Sequence, residues 1–539
     1  MRVEPVIQPT IRYDGQPASE RRSHPGFPGD RMTTRRAHPD RSRNQKWTLT
    51  LIACALAAVG LPIEAAAAAP EPTGKLNILL LTVDDMNWDS VGAFGCRVPH
   101  ITPHIDQLAQ QGLRFEHAHV TIAICQPTRA VWMTGRYPHR SGALGFDPIR
   151  PGVPTLLEGL HQAGYFTGIL AKVNHVVPTR RTAWDVIVPA NRLKSGREPQ
   201  LYYQQSRVFF EQSKRAGKPF FLMANAQDPH RPFAGSRQEQ NRIVRNKRQA
   251  EKKKQTPHPL AGFPSASRTY QPDEITVPGF LPDLPAIRTE LAQYFTSVHR
   301  ADEIVGGVLR ALRESGQAEQ TLVLFLSDHG MPLPFAKTNC WLHSTKTPLI
   351  VRWPGVTTPG RTDASHLVSG IDVAPTLLEA VGLPALPGTD GRSLVPLLKG
   401  KPQPDRQFVF TYINRTAGRR EYPMRCVQNA RYAYLFNGWA DGKTVFRNES
   451  QNGLTMKAMR KAADSNPIIA ARVQHFLYRT PEEFYDYQTD PAARANLIDD
   501  PRYQTQIAQF RERLKTHLEE TNDPQRLPFV RLLARRKQS

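Results

Sequence analysis

The stretch LNILLLTV, residues 76–83, runs straight into Asp84-Asp85. It is an apolar run of strand length that stops abruptly at two carboxylates. This is the pattern of a strand buried on both faces with its carboxyl end at a polar edge. Three later runs repeat it. YFTGIL, residues 165–170, is followed by Ala171-Lys172. FFLMA, residues 220–224, is followed shortly by Asp228 and His230. LVLFL, residues 322–326, is followed shortly by Asp328-His329. Helical patterns lie between them, over His104–Gly112 and Leu291–Ser315. Strands alternating with helices predict an α/β fold with a mostly parallel sheet covered on both faces. In such sheets ligands bind beyond the carboxyl ends of the strands. One polar strand end would be noise, but four together mark a site.

Outward from these runs the chain changes character. Residues 236–258, SRQEQNRIVRNKRQAEKKKQTPH, are polar and basic and read as a surface loop or exposed helix, with contact to a polyanion as the alternative. From about Pro402 the pattern becomes irregular and ends in a helix near Tyr503–Leu518. Residues 75–400 are therefore read as the catalytic part and 401–539 as a smaller C-terminal α+β subdomain. At the front, residues 1–46 form a basic, Pro- and Arg-rich leader, read as disordered, and Met32 is an alternative start. Residues 47–69, WTLTLIACALAAVGLPIEAAAAA, have the anatomy of a signal peptide. Export to a periplasmic or extracellular space follows. Leu51–Cys54 resembles a lipobox and would allow a lipid anchor at Cys54. No stretch is long and apolar enough for a stable membrane span.

The 539 residues, 40% hydrophobic, suffice for one large core and a smaller one. The net charge is +23, of which +5 lies in residues 1–46 and +18 in the remainder. A basic chain favours anionic partners, but no nucleic-acid recognition motif is present. Five cysteines, Cys54, Cys96, Cys125, Cys340 and Cys426, include no CxxC pair, which excludes a zinc ribbon or a thioredoxin-type centre.

The segment CQPTRAVWMTGR begins at Cys125. Pro127 suits the first turn of a helix, and Ala130, Val131 and Met133 give that helix an apolar face. Cys125 then sits at a helix N-terminus, where free N–H groups favour an anion. Arg129, one turn on, can reach the same anion with its planar fork. The residues themselves allow two readings, an activated thiol beside an anion pocket or a buried structural cysteine.

CQPTRAVWMTGR resembles the signature of the sulfatase family, whose Cys-x-Pro-x-Arg is recognised by the formylglycine-generating enzyme. LLTVDDMNWDSVGAFG, TPHIDQLAQQGLRFEHAH, GYFTGILAKVNH, LFLSDHG and FYDYQTDPAARANLIDDP resemble further blocks of that family, over about Lys75 to Pro524. NAQDPHRPF, SDHGMPLPFAKTN and the stretch from Tyr270 to Asp302 are similar to the sulfamidases, the N-sulfoglucosamine sulfohydrolases. Four positions depart from the usual pattern. Thr128 replaces Ser, Ala171 replaces the Gly before the lysine, and Lys337 replaces Arg. His329 replaces Asn, making an Asp-His pair like that of iduronate sulfatases.

The resemblance implies an alkaline-phosphatase-like α/β sandwich. It implies Asp84, Asp85, Asp328 and His329 as ligands of Ca2+, or less readily Mg2+, to which carboxylate oxygens are suited. It implies conversion of Cys125 to 3-oxoalanine, hydrated to a diol whose hydroxyl attacks sulfur, with Asp328 taking its proton. Lys172 or His230 would protonate the leaving group, His175 would deprotonate the remaining hydroxyl, and Arg129 and Lys337 would neutralise charge. The substrate implied is a sulfated anionic saccharide, N-sulfoglucosamine first. The alternatives are an O-sulfatase on another glycan, a phosphatase or phosphonate monoester hydrolase of the same superfold, and a polysaccharide-binding protein without turnover if Cys125 stays unmodified.

Overall fold

Side chains along the first strand, β1 (Asn77–Asp84), set the layers of the molecule. Ile78 and Leu80 enter one apolar core, while Leu79, Leu81 and Val83 enter another. Alternation of this kind, with apolar residues on both sides, is what a strand covered on both faces requires. The structure is a computed structural model and describes residues 75–176, 181–252, 262–536 and 538. The basic leader, the signal segment and Cys54 lie outside the described residues.

The strands that follow are β2 (Leu113–His119), β3 (Phe166–Leu170), β4 (Val186–Val188), β5 (Phe220–Pro229), β6 (Thr321–Ser327), β7 (Leu349–Arg352) and β8 (Thr362–Ser369). They form one eight-stranded sheet in the order β4-β3-β5-β1-β6-β7-β2-β8. Every neighbouring pair is parallel except the two made by β7, which runs antiparallel to both β6 and β2. The four strands read from the sequence are the contiguous middle, β3-β5-β1-β6. Their carboxyl ends therefore open on one edge.

One face carries α1 (Pro103–Gln111), α3 (Pro199–Arg215) and α5 (Pro285–Glu314); α2 (Cys125–Thr134) starts at the site edge, and α4 is Arg237–Lys252. The other face carries α6 (Val373–Ala380) and the helix Leu156–Gln162. α5 spans about 45 Å at 1.5 Å per residue. It also closes the start of α1, where the N–H groups of His104 and Ile105 donate to Asp302 at 3.1 and 2.8 Å. Burial, with Asp106 and Glu303 adding, pushes the Asp302 carboxyl up to about 8 against those two hydrogen bonds. The basic segment expected as a surface loop or exposed helix is helix α4 over its described part, and its cations are exposed.

The C-terminal strands β9 (Val409–Arg415), β10 (Glu421–Gln428), β11 (Tyr432–Asn437) and β12 (Glu482–Asp486) make a second sheet, antiparallel throughout, in the order β12-β11-β10-β9. Between β11 and β12 the chain forms α7 (Leu454–Ala463), and after β12 it forms α8 (Gln504–Glu520). Val427, Tyr434, Phe436 and Phe484 pack under Ile507, Phe510 and Leu514 of α8. Met424, Cys426, Leu435 and Tyr485 on the opposite face join the larger core. Among the described residues no helix is long and apolar enough to cross a membrane.

Candidate active site

Asp84 ends β1 and Asp85 follows it with φ 62°. Ala171 and Lys172, just past β3, are also left-handed, with φ 56° and 48°. Non-glycine residues in this region are strained, and such strain collects where side chains must be aimed. Asp328 and His329 follow β6. The backbone N–H of Asp85 donates to Asp328 Oδ1 at 2.9 Å, which ties the two strand ends together. Gly330 completes that turn. A Cβ there would lie 1.9 Å from the carbonyl oxygen of His343 and 2.5 Å from that of Ala336.

Asp85, Cys125, Asp328 and His329 place ligand atoms within 4.8 Å of one another, and all four are buried. His329 Nδ1 lies 3.0 Å from the Gly330 carbonyl oxygen. A carbonyl can only accept, so Nδ1 carries a proton and the ring turns Nε2 to the site. That Nε2 is 3.2 Å from Asp85 Oδ1 and 3.3 Å from Cys125 Sγ. Asp328 Oδ2 has no hydrogen-bond partner among the described residues and lies 3.7 Å from Arg129 Nη2. A buried carboxylate oxygen left without a donor, beside a second carboxylate and an imidazole nitrogen, suits a hard divalent cation. Asp84 stands apart from this group of four, paired with Arg129 and Lys172.

Three cations face three carboxylates here. Lys337 donates to both oxygens of Asp85 at 3.0 and 2.8 Å. Burial works against the Asp85 charge, yet the Lys337 ammonium holds it below the usual carboxylate range. Arg129 bonds Asn225 Oδ1 and, at 3.2 Å, Thr82 Oγ1, so its fork is aimed by two strands. Asn225 is in turn fixed by donating to the Leu170 carbonyl at 2.9 Å.

Cys125 begins α2, as expected, but it is not an activated thiol. Burial pushes it well above its ordinary range, despite the nearby Lys337. His230 Nδ1 lies 2.6 Å from the Arg231 carbonyl, so it too is the protonated nitrogen, and Nε2 is 4.0 Å from Asp85 Oδ2. Burial pushes His230 down to about 3, against the pull of Asp85. His175 sits on the one-turn helix Val173–Val176, edge-on to Phe146. Burial and then Lys172 push it down to about 2, and its Nδ1 has no hydrogen-bond partner among the described residues. His175 and Arg129 line one small cavity with Gln126 and Asp147.

Residues 76–383 match the family model described as Sulfatase, and residues 328–444 match that described as N-sulphoglucosamine sulphohydrolase, C-terminal. The chain belongs to the sulfatase family. This sulfatase is a hydrolase of sulfuric esters or sulfamates. It is 31% identical over 475 residues to the N-sulphoglucosamine sulphohydrolase of Homo sapiens, covering 83% of this chain and 91% of that one. A protein solved in complex with its substrate D-glucosamine-2-N,6-O-disulfate shares the fold at TM-score 0.60 and 16% identity, over 84% of this chain and 99% of that one. The phosphonate monoester hydrolase of Agrobacterium radiobacter does so at TM-score 0.57 and 18% identity, over 83% and 96%.

Some residues of this sulfatase's site were not read from the sequence. Asn225 and Thr82 lie inside strands, within two of the segments quoted above, but neither was singled out as a site residue. Asp228, which marked a strand end, is spent on Arg197 and Arg300. Glu449 reaches Lys337 from far along the chain. Only the fold brings it there.

Proposed function

We propose that this sulfatase removes the sulfuryl group from anionic saccharides, N-sulfoglucosamine units first, using a 3-oxoalanine formed from Cys125 and a calcium ion. The observation that carries the reading is the position of Cys125. It is buried at the start of α2, with Sγ 3.3 Å from Nε2 of His329 and 3.9 Å from Asp85 Oδ1. As a thiol it is held in its unreactive form. Converted to an aldehyde and hydrated, the same position offers a diol beside the metal ligands. Asp85, Asp328 and His329, with Asp84 beside them, would hold the ion, which supplies positive charge at the diol and at the sulfuryl oxygens.

The rest is done by side chains. One diol hydroxyl attacks sulfur in line and gives its proton to the Asp328 carboxylate. Arg129 and Lys337 face the charge on the sulfuryl oxygens. The S–N or S–O bond breaks, and the leaving nitrogen or oxygen takes a proton. His230 is neutral and turns a lone pair to the site, so the ammonium of Lys172 is the donor and His230 orients the departing group. His175, a neutral imidazole, then removes the proton from the remaining hydroxyl. The C=O bond reforms and sulfate leaves.

The likeness to a sulfamidase and the substrate of the D-glucosamine-2-N,6-O-disulfate complex support an aminosugar sulfate as the substrate. The +18 outside the leader supports a polyanion. The signal segment supports export to the periplasm or beyond. The formylglycine-generating enzyme would be the partner in maturation. The test is sulfate release from defined N-sulfated and O-sulfated glycans, with a phosphonate monoester alongside. Release from N-sulfoglucosamine is the outcome this reading predicts. Release from O-sulfated sugars alone would reject the sulfamidase assignment, and turnover of the phosphonate alone would reject the whole reading.

A further inference from the structure

Asp85, His230 and Glu449 place ligand atoms within 4.8 Å of one another. A cation already occupies this cluster, because the Lys337 ammonium pairs with both Asp85 and Glu449. The two carboxylates differ in access. The Asp85 side chain is fully buried, whereas that of Glu449 is 37% exposed. Glu449 is thus the solvent-facing acid on a buried ammonium beside Cys125's neighbour Asp85.

Its placement is rigid. Glu449 opens the turn Glu449–Asn452. Asn448 Nδ2 donates to the Lys337 carbonyl at 3.1 Å, and Ser450 Oγ donates to Asn448 Oδ1 at 2.7 Å. The N–H groups of Leu454 and Thr455, at the start of α7, donate to Glu290 on α5 at 2.9 and 2.7 Å. Glu290 pairs at 2.7 Å with Arg231, the neighbour of His230. A Cβ at Gly453 would meet both Glu290 and Arg231, at 2.2 and 2.4 Å, so the strap is drawn tight against the site.

We propose that Glu449 contacts the substrate and selects sugars that carry an O–H or N–H donor beside the sulfuryl group. This rests on the saccharide sulfatase reading above. A sulfuryl anion that takes the Lys337 ammonium meets the Glu449 carboxylate as a like charge. A sugar hydroxyl or amine turns that repulsion into a hydrogen bond to a charged acceptor. A sulfate ester without such a donor gains nothing, so the carboxylate acts as a repulsive element against it. In the free enzyme Glu449 holds Lys337 and competes with product sulfate for it.

The test compares Glu449→Ala and Glu449→Gln with the wild type on N-sulfoglucosamine and on p-nitrophenyl sulfate, with inorganic sulfate as inhibitor. In the Ala variant kcat/KM for the sugar falls about tenfold to a hundredfold, the usual effect of losing one polar contact to a substrate. For the aryl sulfate it rises, and sulfate inhibits at lower concentration. The Gln variant loses less on the sugar because it keeps an acceptor. Parallel losses on both substrates, or no change on either, overturn the proposal while leaving the sulfatase reading intact. A wild-type enzyme carrying the aldehyde yet inactive on both substrates rejects the two readings together.

Discussion

His230 and Lys172 both face the leaving group in the proposed chemistry, but only Lys172 brings a proton. The His230 proton is held at Nδ1 by the Arg231 carbonyl, and burial keeps the ring neutral. Lys172→Ala is therefore predicted to lower kcat on N-sulfoglucosamine by about 10²–10⁴-fold, the usual cost of losing a general acid. The loss should shrink on p-nitrophenyl sulfate, whose leaving group needs no proton. Equal losses on both substrates, read by steady-state kinetics, would place Lys172 elsewhere in the mechanism. Cys125→Ala should abolish turnover without moving Tm appreciably, since one small side chain is removed. Much of this was legible in the residues. The strand-end acids announce themselves by position, and Cys125 and Arg129 by their resemblance to the family signature. The protonation of His230 does not, because it depends on which backbone carbonyl the ring finds.

At the scale of elements, the turn after β6 and the start of α1 make the clearest predictions. Gly330→Ala would drive a methyl into two backbone carbonyls, and those cannot swing aside as a side chain can. A cost of about 1–3 kcal/mol is usual for overpacking of this kind. Because His329 is the preceding residue, calcium affinity should fall along with Tm. A calorimetric titration that finds wild-type affinity would show that this turn does not position the ligands. Asp302 gives a pH dependence. Its carboxyl is raised from an ordinary 3.8 to about 8 in the fold. Its contribution is fully present below the unfolded value and is lost as pH rises towards the folded one. Asp302→Asn keeps an acceptor oxygen for only one of the two N–H groups, which lowers its Tm at every pH, but it has no proton to lose. Its Tm should gain on that of the wild type between about pH 4 and about pH 8, and a constant gap would refute the assignment. The central strands were readable because they are apolar on both faces. The outer strands β2, β4, β7 and β8 were not. LRFEHAH and TDASHLVS are mixed or polar, and β4 and β7 are only 3 and 4 residues long. Their strand character comes from pairing at the flank of the sheet.

On the scale of the whole molecule, the net charge outside the leader should act on encounter rather than chemistry. For a long sulfated chain kcat/KM should fall as salt rises, and for a sulfated monosaccharide it should fall less. Surface charges lose their reach beyond a Debye length of about 10 Å at 0.1 M salt. Equal salt slopes for the two substrates would mean that the basic surface, α4 included, plays no part in capture. Long-range architecture is also where the sequence was least legible. Nothing near residue 449 marks it as part of the site; it gets there because one face of the C-terminal sheet packs into the main core and α7 is tied to α5 through Glu290. The central claim is that a modified Cys125 is the nucleophile. The most direct measurement follows sulfate release against the fraction of the Cys125 peptide that has lost SH2 and gained O, in protein made with and without the formylglycine-generating enzyme. Activity proportional to the modified fraction, and absent from the unmodified protein, is the predicted result. Full activity in protein whose Cys125 peptide carries only the thiol would contradict the account.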